Sequence, residues 1–322
     1  MLPDFLIAPI GADMARVDAV LRQGLASEVA LVRQIAEYIV GGGGKRLRPA
    51  LLLLAARACG DPGDHRHVLA AVVEMIHTAT LLHDDVVDES SQRRGRATAN
   101  AAFGNAASVL VGDFLYSRAF QMMVGVSSMR VLEILSEATN VIAEGEVLQL
   151  MNIGDADVTE ESYLRVIRYK TAKLFEAAGR TGAMISGAPG HVAERLGEFG
   201  MRLGTAFQLI DDVLDYSGEV VKTGKNLGDD LGEGKATLPL LHVIASGTAE
   251  QRAVVRHAIT HPGEADFAAV LAALDATGAL DHARQAARRE ADMAAICLEA
   301  LPAGRHRETL LELCAFAVER SS

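Results

Sequence analysis

The sequence predicts an all-α fold, a single helical bundle over residues 1–322 with an apolar interior, and three observations carry that prediction. Apolar residues recur at three- and four-residue spacing along most of the chain, which is the period of a helix face. No stretch shows the alternation of a half-buried strand. Stops at Gly41 to Gly44, Gly60-Asp61-Pro62-Gly63 and Gly187-Ala188-Pro189-Gly190 separate runs long enough to pack as helices.

Taken in order, Ser27 is placed to cap a helix to Val40, with Val29, Val32, Ile35, Ala36 and Ile39 as its apolar stripe. Pro49 suits the first turn of the next helix, which ends before Gly60. Asp64 can cap a long helix whose apolar run begins near Val68, and a polar loop follows from Ser90 to about Asn105. Helices then read from about Ala107 to Val124, from Ser128 to Leu150 and from Thr159 to Ser186, the last two opened by capping residues. After the stop at Gly187 another helix ends at Ser217-Gly218. A Gly- and Lys-containing loop reaches Thr237, and shorter helices complete the chain. No linker, low-complexity segment or 20- to 50-residue period divides it.

Composition narrows the function. Half of the residues are hydrophobic and none is Trp, so the core is built of Ala, Leu, Val, Ile and Met. A formal charge of -11 argues against a general nucleic-acid binder, whose footprint is basic. Cys59, Cys297 and Cys314 lack CxxC spacing, so neither a disulfide framework nor a zinc site is implied, and a reducing cytoplasm fits. Met1 to Ile10 has no basic n-region and carries Asp4, unlike a signal peptide. The strongest apolar run, Pro49 to Ala56, is far short of the roughly 20 residues that span a bilayer.

Thr80 to Asp88 places Asp84, Asp85 and Asp88 at the end of an apolar helical run. Asp84 and Asp88 stand about 40° apart on one face, with Asp85 roughly 100° round from Asp84. Like charges one turn apart repel, and a cation is the natural compensation. Oxygen-only ligands suit Mg²⁺, which bridges to substrate phosphates. Asp211, Asp212 and Asp215 repeat the arrangement after a second apolar run. Two such clusters are able to hold one diphosphate between them through metal ions.

Basic residues accompany both clusters. Gly41-Gly42-Gly43-Gly44-Lys45-Arg46-Leu47-Arg48 can bind an anion through backbone N–H groups and cations. A P-loop is excluded, since Ile39 and Arg46 occupy its required positions. His77 lies roughly 20° from Asp84 and Asp88 on the helical wheel, whereas His83 shares no such alignment. Arg93 and Arg94 follow the first cluster and suit bidentate phosphate contact. Lys170-Thr171 lies within the Thr159 helix, and Gln208 shares the face of Asp212 and Asp215. Lys225 and Lys235 flank a flexible loop that contains Asp229 and Asp230, for which solvation is the simpler account than metal ligation.

Together GGKRLRP, HTATLLHDDVVDES, RRG, YKTAKLFEAA, GTAFQLIDDVLDY, GKNLGDDL and EGKATLPLL resemble the trans-polyprenyl diphosphate synthases, of the type I isoprenoid synthase fold. Within them, AAFGNAASVLVGDFLYSRAFQMM and NVIAEGEVLQLMN are most similar to bacterial octaprenyl diphosphate synthases of ubiquinone biosynthesis. The resemblance implies a helical bundle around a central apolar cavity, a homodimer without a transmembrane segment, and a product handed to the membrane. It implies that Lys45, Arg48, His77 and Arg94 hold isopentenyl diphosphate. It assigns Arg93, Lys170, Thr171, Gln208, Lys225 and Lys235 to the allylic diphosphate. Asp84, Asp88 and Asp211, with Asp85, Asp212 and Asp215 in support, would bind three Mg²⁺. Small residues at Ala79 and Thr80, where short-chain members carry aromatic side chains, imply a long product, with Phe120 and Met123 as candidates for the tunnel floor. The alternatives are a short-chain farnesyl or geranylgeranyl synthase and a non-catalytic isoprenoid-binding subunit, and retention of all six aspartates argues against the latter.

Overall fold

The computed structural model describes residues 2–60, 63–93, 95–217 and 228–320. Its helices are α1 (Asp4–Gly24), α2 (Ala30–Val40), α3 (Leu47–Ala58), α4 (His65–Val87), α5 (Ala99–Phe103), α6 (Asn105–Gly125), α7 (Met129–Asn152), α8 (Glu160–Ile167), α9 (Lys173–Ile185), α10 (Gly190–Ser217), α11 (Asp229–Gly232), α12 (Leu238–Ser246), α13 (Ala249–Thr260), α14 (Phe267–Thr277), α15 (Ala279–Cys297) and α16 (Arg305–Glu319). The all-α expectation holds. Among the described residues the only sheet is a two-residue hairpin, Gln92–Arg93 with Arg96–Ala97.

Contacts group the chain into two compact units. The first comprises Met1–Thr139, Leu174–Gly200 and Cys297–Glu312. Its centre is formed by α3 and α4, apolar and buried almost all round, as a helix inside a bundle must be. Helix α4 packs on α1, α3 and α6. A buried ionic knot ties this unit together: Asp13 of α1 accepts from Arg57 at 2.9 and 3.0 Å, from Arg66 at 3.2 Å and lies 2.8 Å from the His67 ring. Burial raises the Asp13 pKa, but those donors outweigh it and hold the carboxyl well below the usual range.

The second unit comprises Asn140–Lys173, Met201–Ile296 and Leu313–Ser322. Leu209, Ile210 and Val213 of α10 pack with Tyr163 and Ile167 of α8 and with Leu238, Leu240 and Val243 of α12 to form its core. Helices α12, α13 and α14 contact one another.

Several local expectations are corrected. Helix α1 was not expected, yet Leu6, Ile10, Met14, Val17 and Leu21 make a buried stripe at helical spacing. Ser27 does not cap α2: its Oγ accepts from Val29 N, the N-cap is Val29, and of the expected stripe only Ile35 and Ala36 are buried. Asp64 precedes α4 without a side-chain cap: its backbone is already near-helical (φ -93°, ψ -10°) rather than extended, and its exposed carboxylate pairs with Arg16 at 3.1 Å. The expected loop from Ser90 to Asn105 holds the hairpin and α5. Thr159 does cap α8, accepting from Ser162 N at 3.1 Å. The helix it opens, expected to run unbroken to Ser186, widens to a π-turn at Arg168–Ala172.

Candidate active site

In the first unit the aspartates sit where α4 ends. Asp84 and Asp85 occupy its last turn, and Asp88 is the C-cap, its N–H bonded to Asp84 O at 2.8 Å. Asp84 and Asp88 are half-buried, whereas Asp85 is 1% exposed. That burial is compensated: Arg93 of the hairpin places Nε and Nη2 at 2.9 and 2.8 Å from Asp85 Oδ1. Asn100 of α5 donates to the Asp85 carbonyl at 2.9 Å. The hairpin and α5 therefore brace the end of α4, and Arg93 is held against an aspartate.

The glycine-rich segment leads into α3, and Arg48 in its first turn lies 3.1 Å from His77 of α4, Nη1 to Nε2. The Arg48 guanidinium also stacks over the Phe175 ring at 4.5 Å from its centroid. Two residues that the family resemblance assigns to one substrate thus meet. Thr80 turns its hydroxyl to His77 O at 2.8 Å, and Ala79 and Met123 are fully buried. Phe120 is half-buried and stacks on Tyr116. His83 reaches α6, 3.2 Å from Val109 O and 3.4 Å from Asp113. Lys45 is half-buried in the same unit, and Arg94 lies outside the described residues.

In the second unit Asp211, Asp212 and Asp215 lie on the last two turns of α10. Asp212 is buried, with both oxygens engaged: Tyr163 donates its hydroxyl to Oδ2, and Gln208 donates to Oδ1 at 2.9 Å. Gln208 in turn accepts from Thr171 at 3.0 Å. Burial, then the charge of Asp230, then that of Asp211, push the Asp212 pKa up to about 7, against the opposing hydrogen bonds. Tyr163 is raised too, first by burial and then by the Asp212 charge.

The acidic loop after the second cluster is less solvated than its composition suggests. Asp230 donates its N–H to Asp215 at 3.2 Å, and Gly228 donates to Asp215 O at 2.9 Å. Gly228 takes φ +80°, and a Cβ there would lie 2.3 Å from the Phe267 ring, so glycine is required. Lys235 is half-buried and pairs with Glu233, while Lys225 falls outside the described residues.

Lys170 and Thr171 occupy the π-turn, an irregularity that recurs at functional sites. Lys170 Nζ is 2.6 Å from Glu146 of α7. The turn fits against α7 only because residue 145 is glycine: a Cβ there would be 2.7 Å from Lys170 N. Sequence reasoning missed Glu146, Gly145, Tyr163 and Arg320. Arg320 stacks on Phe207 at 3.6 Å and donates to Asp211 at 2.6 Å. Only Tyr163, seven residues before Lys170 on the same helical run, left a local signal.

The donor set at both clusters is carboxylate oxygen. No three described His, Cys, Asp or Glu side chains group closely enough to hold a metal alone. Such carboxylates fit an ion that takes its remaining oxygens from phosphate and water, as Mg²⁺ does.

The profile of the polyprenyl synthetase family matches residues 29–276. The chain belongs to that family. Among polyprenyl synthetases, octaprenyl diphosphate synthase of Escherichia coli (strain K12) is 56% identical over 309 residues, 96% of each chain. All-trans-nonaprenyl-diphosphate synthase (geranyl-diphosphate specific) of Rhodobacter capsulatus is 45% identical over 316 residues, 98% of this chain and 97% of that one. The crystal structure of a polyprenyl synthase from Caulobacter crescentus CB15, complexed with calcium and isoprenyl diphosphate, matches with a TM-score of 0.95. It is 48% identical, covering 99% of this chain and 98% of that one. The fold is the all-α isoprenoid synthase fold of these polyprenyl synthases. No described helix is long and apolar enough to cross a membrane.

Proposed function

We propose that the chain condenses isopentenyl diphosphate repeatedly onto an allylic primer, farnesyl diphosphate, to make all-trans octaprenyl diphosphate for the ubiquinone side chain. The observation that carries this is the retention of both aspartate clusters in a chain 56% identical to an octaprenyl diphosphate synthase along nearly its whole length. We read residues 1–322 as one catalytic domain that works in the cytoplasm as a homodimer and hands its product to the membrane.

Three Mg²⁺ ions would neutralise the departing allylic diphosphate, the charge stabilisation that lets an allylic C–O bond ionise without proton transfer. Asp84, Asp88 and Asp211 would be their ligands, with Asp85, Asp212 and Asp215 in support. The engagement of Asp85 by Arg93, and of both Asp212 oxygens by Tyr163 and Gln208, supports that supporting rank. Arg93, Lys170, Thr171, Gln208, Lys225 and Lys235 would hold the allylic diphosphate. Lys45, Arg48, His77 and Arg94 would hold isopentenyl diphosphate, whose double bond attacks the allylic cation by virtue of position. The released diphosphate takes the proton, and apolar helices exclude water.

The test is turnover of purified protein with Mg²⁺, farnesyl diphosphate and labelled isopentenyl diphosphate, followed by reverse-phase separation of the dephosphorylated products. An octaprenyl product is expected. Absence of label incorporation would refute the enzyme reading, and products that stop at three or four isoprene units would favour a short-chain synthase. Because a relative makes a nonaprenyl product from a geranyl primer by name, geranyl diphosphate belongs in the same assay.

A further inference from the structure

The basic run Lys45-Arg46-Leu47-Arg48 looks uniform in sequence, but its middle arginine is turned inward. Arg46 Nη1 donates to Glu74 Oε1 of α4, with 15% and 10% of the two side chains exposed. Asp18 of α1 stands 3.9 Å from Nη2 of the same guanidinium. Arg46 is the residue immediately before α3 and takes φ +52°, ψ +34°, a left-handed conformation that a residue with a long side chain rarely adopts. Such an outlier persists only where its surroundings over-determine it. Here a partly buried ion pair does so, from two helices at once.

Glu74 and His77 are three residues apart on α4 and so lie on adjacent positions of one face. Arg46 and Arg48 are two residues apart at the start of α3. The contacts Arg46–Glu74 and Arg48–His77 are therefore successive rungs between the same two segments. The first rung sets the register of the second. It also fixes where the preceding glycine run can place Lys45.

We infer that Arg46 is a positioning residue for the homoallylic diphosphate: locked to Glu74, it holds the glycine-rich segment so that Lys45 and Arg48 are presented together. This rests on the proposed reading of Lys45, Arg48 and His77 as isopentenyl diphosphate contacts. Arg46 itself touches no substrate. Its contribution is geometric and is confined to one of the two substrates.

Steady-state kinetics of the full chain test this, with each substrate varied in turn. Arg46→Gln removes the charge pair, and the KM for isopentenyl diphosphate is expected to rise about tenfold. The allylic KM and kcat at saturation should stay within about twofold. Arg46→Lys, which keeps a cation within reach of Glu74, should restore most of the loss. If Arg46→Gln does not accumulate folded, Glu74→Asp keeps the charge, shortens its reach and should show the same split. A loss of kcat with equal changes in both KM values would show a merely structural role and overturn the inference. So would an unchanged KM in Arg46→Gln while Arg48→Ala raises it. If Arg48→Ala itself leaves the isopentenyl diphosphate KM unchanged, the substrate reading of this segment fails and the inference falls with it.

Discussion

Two stretches of nearly the same spelling, Asp84-Asp85-Val86-Val87-Asp88 and Asp211-Asp212-Val213-Leu214-Asp215, end up in different electrostatic company. In the first, the buried acid Asp85 faces the guanidinium of Arg93. In the second, the buried acid Asp212 faces a phenol, an amide and the charges of Asp230 and Asp211, and its pKa climbs to about 7. The arginine of the second cluster, Arg320, falls on the outer acid Asp211 instead. A motif fixes which carboxylates share a helix face, and the rest of the chain decides what each one faces.

The strongest way to break the comparison is to remove one outer acid from each cluster. Asp84→Ala and Asp211→Ala should each cut turnover by roughly a thousandfold or more, since a metal-held carboxylate contributes several kcal/mol of leaving-group stabilisation. Circular dichroism should show unchanged helix content. Near-normal turnover of either variant at saturating Mg²⁺ would mean that only the other cluster works.

The inner acids should differ in stability. Asp212 has a raised pKa, so in metal-free protein the folded chain keeps its proton in a window where the unfolded chain, at 3.8, has released it. The stability that Asp212 contributes should therefore fall as pH rises from about 4 through about 7, against the opposite slope of His282 and His306, whose pKa values burial lowers. Asp212→Asn should abolish that fall and stabilise the metal-free protein at pH 8 by on the order of 1–3 kcal/mol, the Tyr163 hydroxyl turning to accept from the new amide. Urea melts at three pH values decide it. A fall that survives in Asp212→Asn would locate the titrating group elsewhere.

A smaller effect separates the substrates. Lys170→Ala should raise the KM for the allylic primer about tenfold, and Arg94→Ala that for isopentenyl diphosphate by a similar factor. Equal weakening of both substrates by both variants would merge the two assignments. The least change in rate, but a visible change in product, is expected from Ala79→Tyr on fully buried Ala79. It should stop the chain at about three or four isoprene units, each about one helical turn long, with the first condensation little affected. Met123→Ala should lengthen the product. An octaprenyl product from Ala79→Tyr would place the tunnel elsewhere.

Periodicity made much of this legible. Four-residue spacing alone puts Gln208 beside Asp212, and capping chemistry alone starts a helix after Thr159. What stayed hidden depends on partners that do not share a helix, whether eight residues apart, as Asp85 and Arg93, or more than a hundred, as Asp211 and Arg320. Nothing near Arg93 says that it will neutralise Asp85, and nothing near Arg320 points to Asp211. Helix α1 was obscured by Pro9 and Gly11, which interrupt a stripe that is regular once read as Leu6, Ile10, Met14, Val17 and Leu21. The hairpin and α5 are too short for any periodicity to register.

The π-turn at Arg168–Ala172 has a consequence for how this chain tolerates change in length. A π-turn accommodates one residue more than an α-helical turn over the same axial distance. Deleting a single residue between Tyr163 and Lys170 would thus leave a passable helix with its hydrogen-bond ladder made regular. It would also swing Lys170 and Thr171 by about 100° relative to Tyr163. Lys170 would leave Glu146, and Thr171 would leave Gln208, so the helix would survive as a helix while its cation and hydroxyl pointed elsewhere. In this segment foldability and competence come apart at the cost of one codon.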